Sequence, residues 1–152
     1  VFGRLMEKLQ KIGVPENHVR QSTLYALLDS VRAHNEVYKK AGAVHGCALY
    51  TGDQLEIFVE DVGRHNAVDA IAGYMWLHDI SGDNKIFYTT GRLTSEMVIK
   101  VSQMDIPVLL SRSGATQMGV EMAQLSGVTL ISRSKGKHFM VLNGAQNIEF
   151  NQ

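Results

Sequence analysis

Three segments of the chain combine glycine and arginine with hydroxyl or amide side chains, and they span residues 60–66, 89–96 and 111–117. Glycine lets a backbone approach a ligand closely, and a guanidinium group binds phosphate oxygens in pairs. Each segment is also placed to begin a helix, whose amino terminus attracts anions. If the three segments meet, they predict a site for a phosphate or pyrophosphate group.

Ordinary turns and helix caps also combine glycine with Ser, Thr or Asn, so one such segment alone would indicate only a loop. The chain contains neither the G-x-x-x-x-G-K-[ST] sequence of nucleotide hydrolases nor the G-x-G-x-x-G sequence of dinucleotide-binding folds. The prediction therefore depends on the helices and strands that place the three segments.

Apolar periodicity predicts that helices and strands alternate along the chain. The predicted elements are helix 4–12, helix 22–40, strand 43–50, strand 55–62, helix 65–78, strand 85–90, helix 94–104, strand 107–111, helix 115–125, strand 128–132 and strand 138–143. This alternation predicts a mainly parallel sheet covered by helices, and the opening strand pair makes the sheet mixed. Because ligands of such sheets bind beyond the carboxyl ends of the parallel strands, we expect the three segments on one edge.

The chain has 152 residues, enough for one domain, and its 15 basic side chains are balanced by 15 acidic ones. A neutral chain has no overall field that attracts nucleic acid or acidic lipid. No apolar run approaches the ~20 residues of a membrane helix. We therefore expect a cytoplasmic protein that binds neither nucleic acid nor membrane. Its first residue, Val1, suggests part of a longer protein.

Cys47 is the only cysteine, which excludes an internal disulfide and a multi-thiolate zinc site within this chain. His45 and Cys47 are two apart on a predicted strand and so share a face, as a nucleophile pair would require. A strand cysteine beside Ala48 and Leu49 is more often a small buried side chain, and we interpret Cys47 in that way. His65, in a polar loop, is the better candidate for a functional histidine.

The run EDVGRHNAVD at 60–69 resembles the most recognisable motif of the FdhD family of formate dehydrogenase accessory proteins. Similar segments occur in the expected order at 41–45, at Gly91-Arg92 with Ser95-Glu96, at 106–108 and at 111–116. The resemblance covers about residues 22–143. It implies a three-layer α/β fold similar to that of cytidine deaminases, with a mixed, mainly parallel sheet, in a homodimeric protein.

The resemblance also implies a function. Proteins of this family receive sulfur as a persulfide from a cysteine desulfurase and pass it to the molybdenum cofactor of formate dehydrogenase. That cofactor is a bis(molybdopterin guanine dinucleotide), which the family can hold, and GDP would mimic part of it. Its pyrophosphates are the groups that the three segments are predicted to bind. We call the segments at 60–66, 89–96 and 111–117 the first, second and third loops. On this basis residues 22–152 are a cofactor-binding α/β domain, and residues 1–21 are a helical remnant of a larger N-terminal region.

Ligand contacts are carried over from the resemblance residue by residue. The first loop contributes Glu60, Asp61, Gly63, Arg64, His65 and Asn66, the second Gly91, Arg92 and Ser95, and the third Ser111, Ser113 and Thr116. A looser match adds Phe139, Met140, Val141, Leu142, Asn143 and Gly144 of the last predicted strand.

The family's sulfur-carrying Cys-x-x-Cys loop lies before the helix at 22–40, and this chain has no such sequence. No catalytic residue is therefore predicted, and whether the chain itself is a sulfurtransferase stays open. The alternative is a non-catalytic guanine-nucleotide or cofactor-binding chaperone module. A zinc deaminase would require H-x-E and P-C-x-x-C sequences. Because this chain has His45-Gly46-Cys47 and no second cysteine, we expect no bound zinc.

Overall fold

The computed structural model describes residues 18–38, 45–61 and 64–150, and the side chains of residues 34–38, 45, 61, 64 and 65 lie outside that description. Its helices and strands are, in chain order, β1 (Val19–Arg20), α1 (Gln21–Tyr38), β2 (His45–Thr51), β3 (Gln54–Asp61), α2 (Arg64–Leu77), β4 (Lys85–Thr89), α3 (Ser95–Gln103), β5 (Val108–Ser111), α4 (Gln117–Ser126), β6 (Thr129–Lys135), β7 (His138–Asn143) and β8 (Ile148–Glu149). The helix predicted over 4–12 lies outside the described residues.

Each helix and strand predicted between residues 22 and 143 is present, and only β6 differs from its predicted ends by more than two residues. Strand β6 continues to Lys135, three residues beyond the prediction. Strands β1 and β8 pair in parallel, with Val19 opposite Ile148. They were not predicted, because a strand of two residues has no periodicity to detect.

Six strands form one mixed sheet in the order β3-β2-β4-β5-β6-β7. Strands β4, β5 and β6 are parallel neighbours, whereas β2 is antiparallel to both β3 and β4, and β7 is antiparallel to β6. Strands β3, β4, β5 and β6 therefore all run in one direction, as a mixed, mainly parallel sheet requires. Their carboxyl ends share one edge of the sheet, which we call the carboxyl edge.

Alternate residues of the strands face opposite layers of helices. In β2, Cys47 and Leu49 belong to the apolar core beneath α2, α3 and α4, whereas Ala48 and Tyr50 belong to the core beneath α1. Leu24 of α1 is fully buried, and burial of such a side chain contributes about 2 kcal/mol. The predicted three-layer α/β arrangement is confirmed. No helix in the described part of the chain is long and apolar enough to cross a membrane.

Candidate functional site

The three loops predicted to bind an anion follow β3, β4 and β5, so all of them begin at the carboxyl edge. Strand β2 lies between β3 and β4, which places the first loop about 10 Å along the sheet from the second. The second and third loops follow neighbouring parallel strands. The topology thus confirms the shared edge, with two loops adjacent and one farther away.

Backbone hydrogen bonds join the second and third loops. Leu93 forms a parallel bridge with Ala115. The Leu93 N–H donates to the Gly114 carbonyl at 3.0 Å, and the Leu93 carbonyl accepts the Thr116 N–H at 3.1 Å. Leu93 is fully buried, so water does not compete for these bonds. The β4–β5 pairing therefore continues into the loops, and the two loops form one unit.

Buried hydroxyl groups hold the same two loops together. Ser111 Oγ donates to the Gly91 carbonyl at 2.6 Å and accepts the Ser113 N–H at 2.9 Å. Thr89 Oγ1 accepts the Gly91 N–H at 3.1 Å. Ser111 was predicted as a ligand contact. In the structure its hydroxyl forms hydrogen bonds with the backbone of the second and third loops.

Helices α3 and α4 both begin at the carboxyl edge, each with a threonine as its N-cap. Thr94 Oγ1 accepts the Met97 N–H at 3.3 Å, and Thr116 Oγ1 accepts the Gly119 N–H at 3.0 Å. A methyl group on Gly119 would lie 2.2 Å from the Leu93 carbonyl oxygen, so glycine allows the first turn of α4 to contact the second loop. Two helix amino termini therefore lie side by side, where their dipoles favour an anion.

Arginine side chains add positive charge at this edge. Arg92 and Arg112 are exposed, and neither forms an ion pair with a carboxylate within the described part of the chain. Ser95 and Ser113, which belong to the same two loops, are half-buried. The second and third loops thus combine two cations and the exposed Glu96 carboxylate, in the first turn of α3, with polar groups and two helix termini.

The first loop is described only in part. Gly63 lies outside the described residues, and so do the side chains of Asp61, Arg64 and His65. Asn66, in the first turn of α2, is exposed, and Glu60, near the end of β3, is half-buried. The ligand contacts assigned to this loop stay predictions.

The family follows from comparison with known proteins. A sequence model of the FdhD/NarQ family matches residues 2–149. The chain belongs to the FdhD/NarQ family. The resemblance predicted from the run at 60–69 is confirmed.

Individual FdhD/NarQ relatives are longer than this chain. It is 29% identical over 141 residues to the sulfur carrier protein FdhD of Bacillus pumilus, covering 93% of this chain and 54% of that protein. It is 34% identical over 132 residues to the protein of the same name from Sulfurisphaera tokodaii, covering 86% and 52%. The chain spans about half the length of the curated relatives it matches.

A solved structure shares the fold. A protein from Desulfotalea psychrophila, described as a formate dehydrogenase accessory protein, superposes with a TM-score of 0.83 at 31% sequence identity, covering 93% of this chain and 62% of that one. The mixed α/β architecture is therefore that of an FdhD/NarQ protein, and the more distant similarity to cytidine deaminases stays a prediction.

The last strand of the FdhD/NarQ sheet leads away from the carboxyl edge. Because β7 is antiparallel to β6, the predicted contacts at 139–144 lie progressively farther from that edge. Asn143 Nδ2 donates to the carbonyl groups of Ala123 at 3.1 Å and Val128 at 2.8 Å, at the opposite edge, and Gly144 follows it there. The structure does not bring Asn143 and Gly144 together with the three loops, and contacts from 139–144 stay a prediction.

Cys47 is unsuited to carry sulfur. Its side chain is fully buried, and burial raises the pKa of the thiol to about 11, although the hydrogen bond to Thr89 lowers it slightly. The thiol is therefore protonated at neutral pH, whereas the thiolate is the nucleophile. The interpretation of Cys47 as a small buried side chain is confirmed. In the described ranges, no group of three His, Cys, Asp or Glu residues is placed to hold a metal ion.

Arg133 is a further arginine at the carboxyl edge, and the sequence patterns did not indicate it. Its backbone N–H donates to the Ser113 carbonyl at 3.0 Å, which connects the end of β6 to the third loop. Strand β6 was predicted to end at residue 132, and the polar residues that follow resemble a turn. The sequence feature that could have indicated Arg133 is its position just beyond the predicted carboxyl end of a strand.

Proposed function

We propose that this chain is the cofactor-binding part of a sulfur carrier protein that serves formate dehydrogenase. In this proposal the whole protein accepts sulfur from a cysteine desulfurase and passes it to the molybdenum cofactor, a bis(molybdopterin guanine dinucleotide). This chain holds that cofactor as cargo. The names of its relatives, sulfur carrier protein FdhD and formate dehydrogenase accessory protein, support the proposal. We also propose that the protein acts in the cytoplasm as a homodimer.

The observation that carries the cofactor-binding proposal is the joining of two arginine-containing loops in front of two helix amino termini. On a chain with 15 basic and 15 acidic side chains, positive charge must be gathered locally, and Arg92 and Arg112 provide it at the carboxyl edge. A pyrophosphate group fits this chemistry, because its oxygens accept hydrogen bonds from guanidinium and from backbone N–H groups.

The magnitudes favour a nucleotide over a free phosphate. Each helix terminus stabilises an exposed anion by about 0.3–1 kcal/mol, and a guanidinium–phosphate hydrogen bond contributes about 1.5–3 kcal/mol. Two of each give roughly 4–8 kcal/mol, which corresponds to millimolar to micromolar affinity before the entropy of association is subtracted. Phosphate contacts alone therefore bind weakly, and we expect the guanine and ribose to add the remaining affinity.

The burial of Cys47 favours a second candidate function for the chain taken alone, a non-catalytic cofactor-binding module. Cys47 is the only cysteine in the sequence, and its raised thiol pKa opposes attack on a persulfide. We therefore assign sulfur transfer to the Cys-x-x-Cys loop that the family resemblance places before α1. The chain by itself should bind the nucleotide without transferring sulfur.

Isothermal titration of the chain with GDP tests the binding proposal. Wild-type protein should bind GDP, and guanosine, which has no phosphate, should bind at least about tenfold more weakly. Arg92→Ala should weaken GDP binding by about tenfold or more. Lys85→Ala removes the same charge at the amino end of β4, on the opposite edge, and should leave GDP affinity within about twofold of wild type.

Two results would overturn the proposal. One is the absence of any heat with GDP, and the other is equal affinity of wild-type protein for GDP and guanosine. The sulfur-transfer part is tested separately, by measuring persulfide transfer from a cysteine desulfurase to full-length protein. Transfer to the chain alone, through Cys47, would contradict the assignment to the Cys-x-x-Cys loop.

A further inference from the structure

Strand β6 continues past the point where its neighbour β5 ends. Ile131 is the last residue of β6 that pairs with β5, opposite Leu110, and the strand then runs to Lys135. On its other side, pairing with β7 shifts register between Ser132 and Lys135. The residues in this bulge therefore project beyond the body of the sheet, beside the third loop.

The bulge holds Arg133 in an unusual conformation. Its φ is +51°, in the left-handed region that residues other than glycine rarely adopt. The Arg133 N–H donates to the Ser113 carbonyl at 3.0 Å. This backbone hydrogen bond connects Arg133 to the third loop and fixes the position of its Cα atom.

The guanidinium of Arg133 occupies the space above Gly114. A methyl group on Gly114 would lie 3.0 Å from Arg133 Nη2 and 3.5 Å from Cζ. Gly114 is not among the glycines with positive φ, so its backbone conformation does not require glycine. The absent side chain at 114 provides room for the Arg133 guanidinium against the loop.

No carboxylate in the described part of the chain forms an ion pair with Arg133, Arg92 or Arg112. Arg133 is exposed, and it lies against the loop that also contains Arg112. Three guanidinium groups at one edge, none paired with a carboxylate of the described residues, offer positive charge to an anion. The backbone hydrogen bond of Arg133 and the space at Gly114 together place this third cation against the third loop.

We infer that Arg133 is a phosphate-binding residue of the nucleotide site, positioned by the empty space at Gly114. This inference rests on the proposed nucleotide binding and adds a residue from β6 to it. The carboxyl ends of β4 and β6 are two strands apart, about 10 Å. Arg92 and Arg133 therefore lie on opposite sides of the third loop, a separation that suits a diphosphate better than a single phosphate.

Titration of wild-type protein and four variants with GDP tests the inference. Arg133→Ala should bind GDP about tenfold more weakly than wild type, and Arg133→Lys should recover only part of the loss, because lysine cannot form a paired hydrogen bond. Gly114→Ala should also weaken binding, by a smaller factor than Arg133→Ala, because its methyl group shifts the guanidinium by a few tenths of an ångström. The double variant, Gly114→Ala with Arg133→Ala, should bind no more weakly than Arg133→Ala alone, because both changes act on one contact.

The same titrations separate this inference from the proposed function. If wild-type protein binds GDP and Arg92→Ala weakens it, but Arg133→Ala binds like wild type, only the role of Arg133 is wrong. If Gly114→Ala weakens binding equally with and without Arg133, the glycine acts in another way and the positioning role is wrong. If wild-type protein does not bind GDP, both proposals fail. Urea denaturation of each variant shows whether a lost heat reflects unfolding. If Arg133→Ala does not fold, the GDP affinity of folded Arg133→Lys compared with wild type still tests the inference.

Discussion

Replacing Ser111 with alanine should loosen the unit formed by the second and third loops. Ser111 is fully buried, with 0% of its surface exposed. Its hydroxyl donates to the Gly91 carbonyl at 2.6 Å and accepts the Ser113 N–H at 2.9 Å. Alanine removes both bonds and leaves a carbonyl and an N–H without these partners.

The cost follows from the surroundings of the two groups. A buried polar group left unsatisfied costs about 1–3 kcal/mol. Gly91 is buried, so its carbonyl incurs most of that cost, whereas Ser113 is half-buried and water can partly replace the lost bond. We expect the free energy of unfolding to fall by about 2–3 kcal/mol, a large part of the roughly 5–15 kcal/mol of a typical domain.

Urea denaturation followed by circular dichroism measures this loss, and Ser126→Ala is the matched control. Ser126 is also buried, at 3% exposure, and its hydroxyl donates to the Met122 carbonyl at 2.9 Å. That carbonyl also has the helical N–H of residue 126 as a partner, so alanine leaves nothing unpaired and should cost less than about 1 kcal/mol. Equal losses for the two variants would refute the view that Ser111 joins the loops.

Two further predictions concern other buried polar atoms. Ser134 is buried, and its hydroxyl has no hydrogen-bond partner among the described residues, so Ser134→Ala should leave stability unchanged or raise it by up to about 1 kcal/mol in urea denaturation. A loss larger than about 1 kcal/mol would show that the hydroxyl has a partner. Burial raises the pKa of the Cys47 thiol from 9.0 to about 11, so above about pH 9 the unfolded chain releases a proton that the folded chain retains. The contribution of Cys47 to the free energy of unfolding is therefore fully present below about pH 9. It falls by about 2 kcal/mol by about pH 10.5. Urea denaturation at about pH 8 and pH 10.5 should show a steeper loss for wild type than for Cys47→Ala, and parallel losses would contradict the buried, protonated thiol.

The helices and the main strands could be predicted because each one buries a face with a regular period. Leu24 and Leu27 in α1, or Cys47 and Leu49 in β2, reveal such a period in the sequence. The extension of β6 could not be predicted in this way, because Arg133 and Lys135 are exposed and polar. Its strand conformation depends on pairing with β7, which is a relation between segments and not a property of either one.

The candidate site likewise contains residues that the sequence predicts and a residue that it does not. The loops at 89–96 and 111–117 were found because glycine, arginine and the carboxyl ends of strands coincide in the sequence. Arg133 was missed because its position depends on a bulge and on the empty space at Gly114, nineteen residues earlier in the chain. Close approach of a side chain to a distant glycine leaves no local pattern.

The hydrogen bonds also separate two groups among the predicted ligand contacts. The hydroxyl groups of Ser111 and Thr116 are used by the loops and by the start of α4, so their removal should affect stability first. The guanidinium groups of Arg92, Arg112 and Arg133 have no carboxylate partner within the described residues, so their removal should affect binding first. A residue type that suits phosphate is thus a weak guide to ligand contact where the fold already uses its polar atoms. On that criterion the arginines, more than the serines and threonines of the same loops, are the residues through which this edge of the sheet would hold a nucleotide.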